Sequence, residues 1–193
     1  MSFGLIRSMG KISPFTFKAK DGTEVTLRTP GAGEGGKLLK AMRQIIAETH
    51  ETLILLPEEF TLTEEQEEKF IQRHYQGHKN VIIVAEVNGE IIGMLDLATA
   101  PRYRINHYGE FGMTIAKQYQ GLGIGKEILK TLIKWAKEVA QLEAIRLRVH
   151  ANNKPARAVY EAVGFKEEGR QLKAIKKGEG KYEDVLLMAL VIS

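Results

Sequence analysis

Gln120-Gly121-Leu122-Gly123-Ile124-Gly125-Lys126 stands between a strand-like segment, Tyr108 to Ile115, and a strongly amphipathic one. A chain that passes from strand to helix through three glycines presents bare backbone N–H groups at the positive end of the helix dipole, a site for phosphate or pyrophosphate. Glycine lets the backbone approach such a ligand closely and permits positive φ. The spacing rules out two nucleotide loops. A Walker loop, GxxxxGK then Ser or Thr, needs glycine where Gln120 stands and a hydroxyl where Glu127 stands. A dinucleotide fingerprint GxGxxG needs its last glycine where Lys126 stands. What remains is Gln-x-x-Gly-x-Gly opening a helix after a strand.

Outward from the loop, Leu129, Leu132, Ile133, Ala136 and Ala140 share one face of a helix predicted from Ile124 to about Ala140. Ala144–His150 then alternates as a strand, with Ile145, Leu147 and Val149 on one side and Arg146, Arg148 and His150 on the other. Upstream, Val81–Val87 and Ile91–Ala98 flank Asn88-Gly89 as a hairpin, and an Asp21-Gly22 turn joins two short strands near Phe15 and Val25. Gly31–Gly36 reads as a loop. Leu38, Leu39, Met42, Ile45 and Ile46 mark a helix from Lys37 to about Glu48, and Thr63-Glu64-Glu65-Gln66 starts a second that runs to about Gln76. A short helix is predicted from about Pro155 to Val163, and two final strands cover about Phe165–Ile175 and Tyr182–Val191. The order of elements predicts an α+β fold: a mixed, largely antiparallel sheet flanked by helices on both faces. The unit Tyr108–His150 is its parallel crossover. With no linker, repeat or low-complexity tract, residues 1–193 are expected to form a single domain.

A second motif follows about thirty residues later: Asn153-Lys-Pro-Ala-Arg-Ala-Val-Tyr160-Glu-Ala-Val-Gly164-Phe165. Together with Gln120-x-x-Gly123-x-Gly125 it resembles the GNAT superfamily of acetyl-CoA-dependent N-acetyltransferases, in order and in spacing. Gly169-Arg170 and the Gly180-x-Tyr182-x-Asp184…Met188 ending are similar to its ribosomal-protein and small-amine branches. The specific resemblance covers about Glu110 to Met188; the first hundred residues match only in their order of elements.

The resemblance implies direct transfer of acetyl from acetyl-CoA to a primary amine of a small molecule, amino acid or peptide N-terminus. The N–H groups of Gln120, Gly121, Leu122, Gly123, Ile124, Gly125 and Lys126 would hold the pyrophosphate. Met113, Thr114 and Ile115 would pair with the extended pantetheine, and the Ile115 N–H would meet the thioester oxygen as it gains charge. Asn153 matches a pantetheine contact and also suits a helix cap. Tyr160 matches the general acid that returns a proton to the sulfur; a phenol of pKa about 10 is suited to a thiolate of similar basicity. Glu110 is the expected base, acting through water on the same strand side as Gly112 and Thr114, with Asp96 and His107 as other candidates. A ribosomal-protein-type Nα-acetyltransferase and a non-catalytic CoA-binding or sensing module are the alternatives.

Composition narrows the field further. The chain has 193 residues, 44% hydrophobic and 27% charged, with a formal charge of +4 and no cysteine. Length and balance suit one globular domain, and the interspersed charges call for no nucleic-acid partner. Without cysteine there is no disulfide, no thiol carrier of acetyl and no Cys-type zinc site, which agrees with a cytoplasmic location. Met1 to Phe15 lacks the apolar core of a secretion signal, and no run is long enough to span a membrane. His74 and His78 have a metal-like spacing but no partners, so they read as surface or helix-end residues and no metal is expected. Lys126, Lys130, Lys134 and Lys137 read as a solvated stripe in which only Lys126 nears the loop. Glu64, Glu65, Glu67 and Glu68 read as favourable charge at a helix start. Val185–Ile192 reads as a buried strand, part of which is available to a homodimer interface.

Overall fold

Asp21 and Gly22 turn β1 (Phe15–Lys18) into β2 (Glu24–Arg28) in this computed structural model, which describes residues 10–192. Residues 1–9 of the stretch read for a secretion signal therefore lie outside the described residues. Helices α1 (Gly35–Thr49) and α2 (Glu64–Gln76) precede the hairpin of β3 (Val81–Val87) and β4 (Glu90–Thr99). Asn88 and Gly89 both take positive φ at its turn, as the Asn-Gly pair predicts. Then come β5 (Tyr108–Ile115), α3 (Ile124–Glu138), β6 (Ala144–His150), α4 (Lys154–Glu161), β7 (Lys166–Gly178) and β8 (Lys181–Val191).

The strands form one eight-stranded sheet in the order β1-β2-β3-β4-β5-β6-β8-β7. Among the described residues only β5 and β6 run parallel; every other neighbouring pair is antiparallel. Helices α1 and α2 cover one face and α3 and α4 the other, so the expected mixed α+β sandwich holds. Strand β3 shows why its sequence is an unbroken apolar run. Val81, Ile83 and Ala85 belong to the core under α3, while Ile82 and Val84 belong to the core under α1 and α2. A strand buried on both faces needs no polar alternation.

Local chemistry sets the element ends. Thr63 Oγ1 accepts from the Gln66 N–H while the Gln66 side chain returns to the Thr63 N–H, the capping box read from the sequence. Gly35 and Gly36, expected in a loop, are instead the first turn of α1. Glu68 on α2 accepts from the Gly35 N–H at 3.0 Å, and the two helices meet so closely there that glycine is accommodated inside the helix. On α3, Ile128, Leu129, Leu132 and Ala136 are fully buried. Truncating one such leucine to alanine costs about 2–5 kcal/mol. The run Val185–Val191 is the C-terminal part of β8, between β6 and β7; Val185, Leu186, Met188 and Ala189 are buried, whereas Val191 is exposed.

Candidate active site

The parallel pair decides the shape of the site. β5 and β6 are in register only at Tyr108 with Ala144, Gly109 with Ile145 and Glu110 with Arg146; beyond this they part. β5 stays paired with β4 on its other edge as far as Ile115. The Ala116 N–H donates to Ile92 O at 2.9 Å on the β4 side. Amides alternate along a strand, so those of Met113 and Ile115 point to the opposite edge, into the opening left by β6. Thr114 is turned the other way: its N–H faces β4 and its hydroxyl lies 3.3 Å from that of Thr49 at the end of α1.

At the head of this opening lies the glycine loop. Gly121 and Gly123 have φ of 76° and 88°, which L side chains rarely adopt, and this explains two of the three glycines. Gln120 Nε2 donates to Ile115 O at 2.9 Å and fastens the loop to the end of β5. The amide cradle is narrower than the seven residues read from the sequence. The Gln120 N–H bonds to Lys117 O and the Lys126 N–H to Gly123 O, because the turns on either side close on themselves. The N–H groups of Gly121, Leu122, Gly123, Ile124 and Gly125 make no hydrogen bond among the described residues. Five free donors at the N-terminus of a fifteen-residue helix, with the Lys126 side chain beside them, fit an anionic ligand. Lys20, on the β1–β2 turn, also borders the loop: its N–H donates to Leu122 O at 3.0 Å. Nothing near Lys20 in sequence signals this, since only the fold brings the hairpin to the loop.

Tyr160 lies on α4 beneath the opening, 6% exposed, with its ring edge-on to Phe111 and Phe165. Its hydroxyl makes no hydrogen bond among the described residues. Burial pushes its pKa up to about 12, so it stays a proton donor through neutral pH. Asn153 caps α4 by accepting from the Ala156 N–H at 3.2 Å, the role its position predicted.

Glu110 is on the other face of the sheet. β4 and β5 pair without a bulge, so Glu110, Gly112 and Thr114 do share a side. Glu110 accepts from Arg148 Nε at 2.7 Å, with both side chains about half exposed. The pair borders a shallow groove of about 460 Å³ that Glu168 and Gln171 close from β7. Of the other base candidates, Asp96 is half-buried beneath α2, opposite Gly112. Burial pushes its carboxyl upward, and the nearby His74 partly offsets this. Glu67 is also raised, by burial and then by the charge of Asp96. His107 packs its ring against Tyr108 near the start of β5, away from the opening. His74 is not a surface residue: it faces inward, 7% exposed, because its position on α2 falls on the helix's buried stripe.

A parallel strand pair that opens toward a five-amide helix N-terminus has the shape and the donors to take an extended anionic molecule. The model of the acetyltransferase (GNAT) family matches residues 39–165, and the chain belongs to that family. It is similar to an L-amino acid N-acetyltransferase of Escherichia coli, 30% identical over 56% of this chain and 67% of that protein. An N-alpha-acetyltransferase of Sulfurisphaera tokodaii is 27% identical over 89% of this chain and 96% of its own. Among solved structures, a GNAT acetyltransferase from Streptococcus pneumoniae superposes with a TM-score of 0.83 at 28% identity, covering 87% of this chain and 99% of that one. The chain is an acetyl-CoA-dependent acyltransferase.

Proposed function

We propose that the protein transfers acetyl from acetyl-CoA directly to a primary amine of a small molecule, an amino acid or a peptide N-terminus. The observation that carries this reading is the set of five unbonded amides, Gly121 to Gly125, at the head of the β5–β6 opening. They would take the pyrophosphate, Met113 and Ile115 would pair with the pantetheine arm, and Asn153 would flank it. The Ile115 N–H would stabilise the thioester oxygen as the amine attacks. Tyr160 would return a proton to the departing sulfur, and the absence of cysteine agrees with a direct route. Glu110 would draw the cationic amine to the open face and take its excess proton through water, which leaves the neutral amine to attack. Residues 1–193 acting as one domain belongs to the same reading, since one sheet runs from β1 to β8.

The test is release of free CoA thiol from acetyl-CoA over a panel of amino acids, polyamines and short peptides. Turnover with at least one amine, lost on Tyr160→Phe, is the expected result. Measurable CoA binding with no release for any acceptor would favour a sensing module instead.

A further inference from the structure

At the end of β6, on the side that it shares with Arg146 and Arg148, stands a buried histidine. His150 is 3% exposed. Its Nδ1 lies 3.0 Å from Glu183 Oε2 on β8, and the two side chains are only 4% and 9% exposed. A carboxylate oxygen accepts, so Nδ1 donates to Glu183, and in a neutral ring Nε2 then offers its lone pair. That Nε2 is buried and has no hydrogen-bond partner. A buried acceptor left unmade is costly.

The end of α1 meets β5 through the Thr49 and Thr114 hydroxyls, 3.3 Å apart. The 3-10 turn that follows, His50–Thr52, is tied to the β7–β8 hairpin, because Lys177 Nζ donates to Glu51 O at 2.6 Å. By the register of Glu110 with Arg146, His150 comes level with Thr114 across the gap, on the side of β6 that it shares with Arg148. Lys177 Nζ is also 3.9 Å from Glu183 Oε2. Tyr160 belongs to the core on the opposite face of the sheet.

We propose that His150, oriented by Glu183, is the immediate proton acceptor for the attacking amine; this rests on the acetyl-transfer reading above. The amine nitrogen forms the new bond to the acetyl carbon and gives its proton to His150 Nε2. The C–S bond breaks, and Tyr160 on the far face protonates the sulfur. Solvent then takes the proton from His150 and restores that of Tyr160, leaving amide and free CoA. Glu183 is a positioning residue: it holds the tautomer and stabilises the imidazolium. The charged groups that face the ring are Glu183 on β8 and Lys177 on β7, with the Arg148–Glu110 pair further along the same face.

The test measures kcat/KM against pH with acetyl-CoA and the best amine from the screen above, for wild type, His150→Gln and Glu183→Gln. The expected result for His150→Gln is a loss on the order of 10²-fold, disappearance of the rise with pH in the histidine range, and unchanged KM for acetyl-CoA. Glu183→Gln, which keeps the imidazole, should move that rise to a different pH. His78→Gln should match wild type throughout. A His150→Gln enzyme within threefold of wild type at every pH, or one that keeps the rise, overturns the proposal and leaves acetyl transfer standing. Should His150→Gln fail to fold, Glu183→Gln decides: an unmoved rise overturns the proposal. If no amine is turned over, the acetyl-transfer reading fails and this proposal falls with it.

Discussion

Arg148 Nε on β6 donates to Glu110 Oε1 on β5 at 2.7 Å, just past the point where the two strands cease to pair. Both side chains are about half exposed, and an ion pair of that kind contributes only about 0.2–1 kcal/mol. Glu110→Gln should therefore leave the urea midpoint almost unchanged. If Glu110 serves the acceptor amine as proposed, kcat/KM should still fall on the order of 10²-fold. Loss of activity in step with loss of stability would point to a structural role only.

Tyr160→Phe separates chemistry from packing in the same way. The hydroxyl has no partner to lose, so the melting temperature should stay near that of wild type while kcat falls on the order of 10²-fold. A general acid must keep its proton, and burial pushes this one to about 12. The wild-type rate should consequently hold beyond pH about 10, where an ordinary tyrosine is half ionised. A fall centred near that pH would show that Tyr160 is more open to solvent than its packing against Phe111 and Phe165 implies.

Gly123→Val tests the loop. With φ at 88°, a β-branched residue strains the turn that presents the free amides. CoA affinity measured by calorimetry should weaken by at least about tenfold, the effect of about 1.4 kcal/mol. Thr63→Ala, a cap on α2 far from the loop, should lower stability by about 1 kcal/mol and leave CoA affinity alone.

Acid sensitivity should trace to the junction of β2, β3 and α1. Arg28 holds Glu34 through two hydrogen bonds of 2.7 Å and also meets Glu86. The Arg28 hydrogen bonds depress Glu34 from 4.5 to about 2. A carboxylate lowered on folding contributes its full stability above its unfolded pKa, and that stability is lost as pH falls through the folded one. The window thus runs from about 4.5 down to about 2, and the contribution at neutral pH is about 1–3 kcal/mol. Urea titrations at pH 7 and pH 3 should show a smaller drop for Glu34→Gln than for wild type. An equal drop would assign the acid sensitivity elsewhere.

Much of this was legible because the signals are local. A capping box at Thr63, an Asn-Gly turn at position 88 and the amphipathic spacing of α3 act within a few residues, and each element formed where it was read. The two motifs that carried the family, Gln120 to Gly125 and Asn153 to Phe165, are likewise short and continuous. What escaped is non-local. Lys20 reaches the loop only when the first hairpin docks beside it. His150 finds Glu183 across 33 residues of sequence, because β8 inserts between β6 and β7.

The sequence by itself determined most of the elements, their order along the chain and, through its two motifs, the family, since strand, glycine loop and helix are contiguous and their backbone chemistry needs no distant partner. The tertiary structure alone decided which amides stay unbonded, where β5 and β6 part, and which side chains face each other across that gap. Those properties depend on strand register and on which groups lose water together. Neither is fixed until the sheet closes and the helices cover its faces.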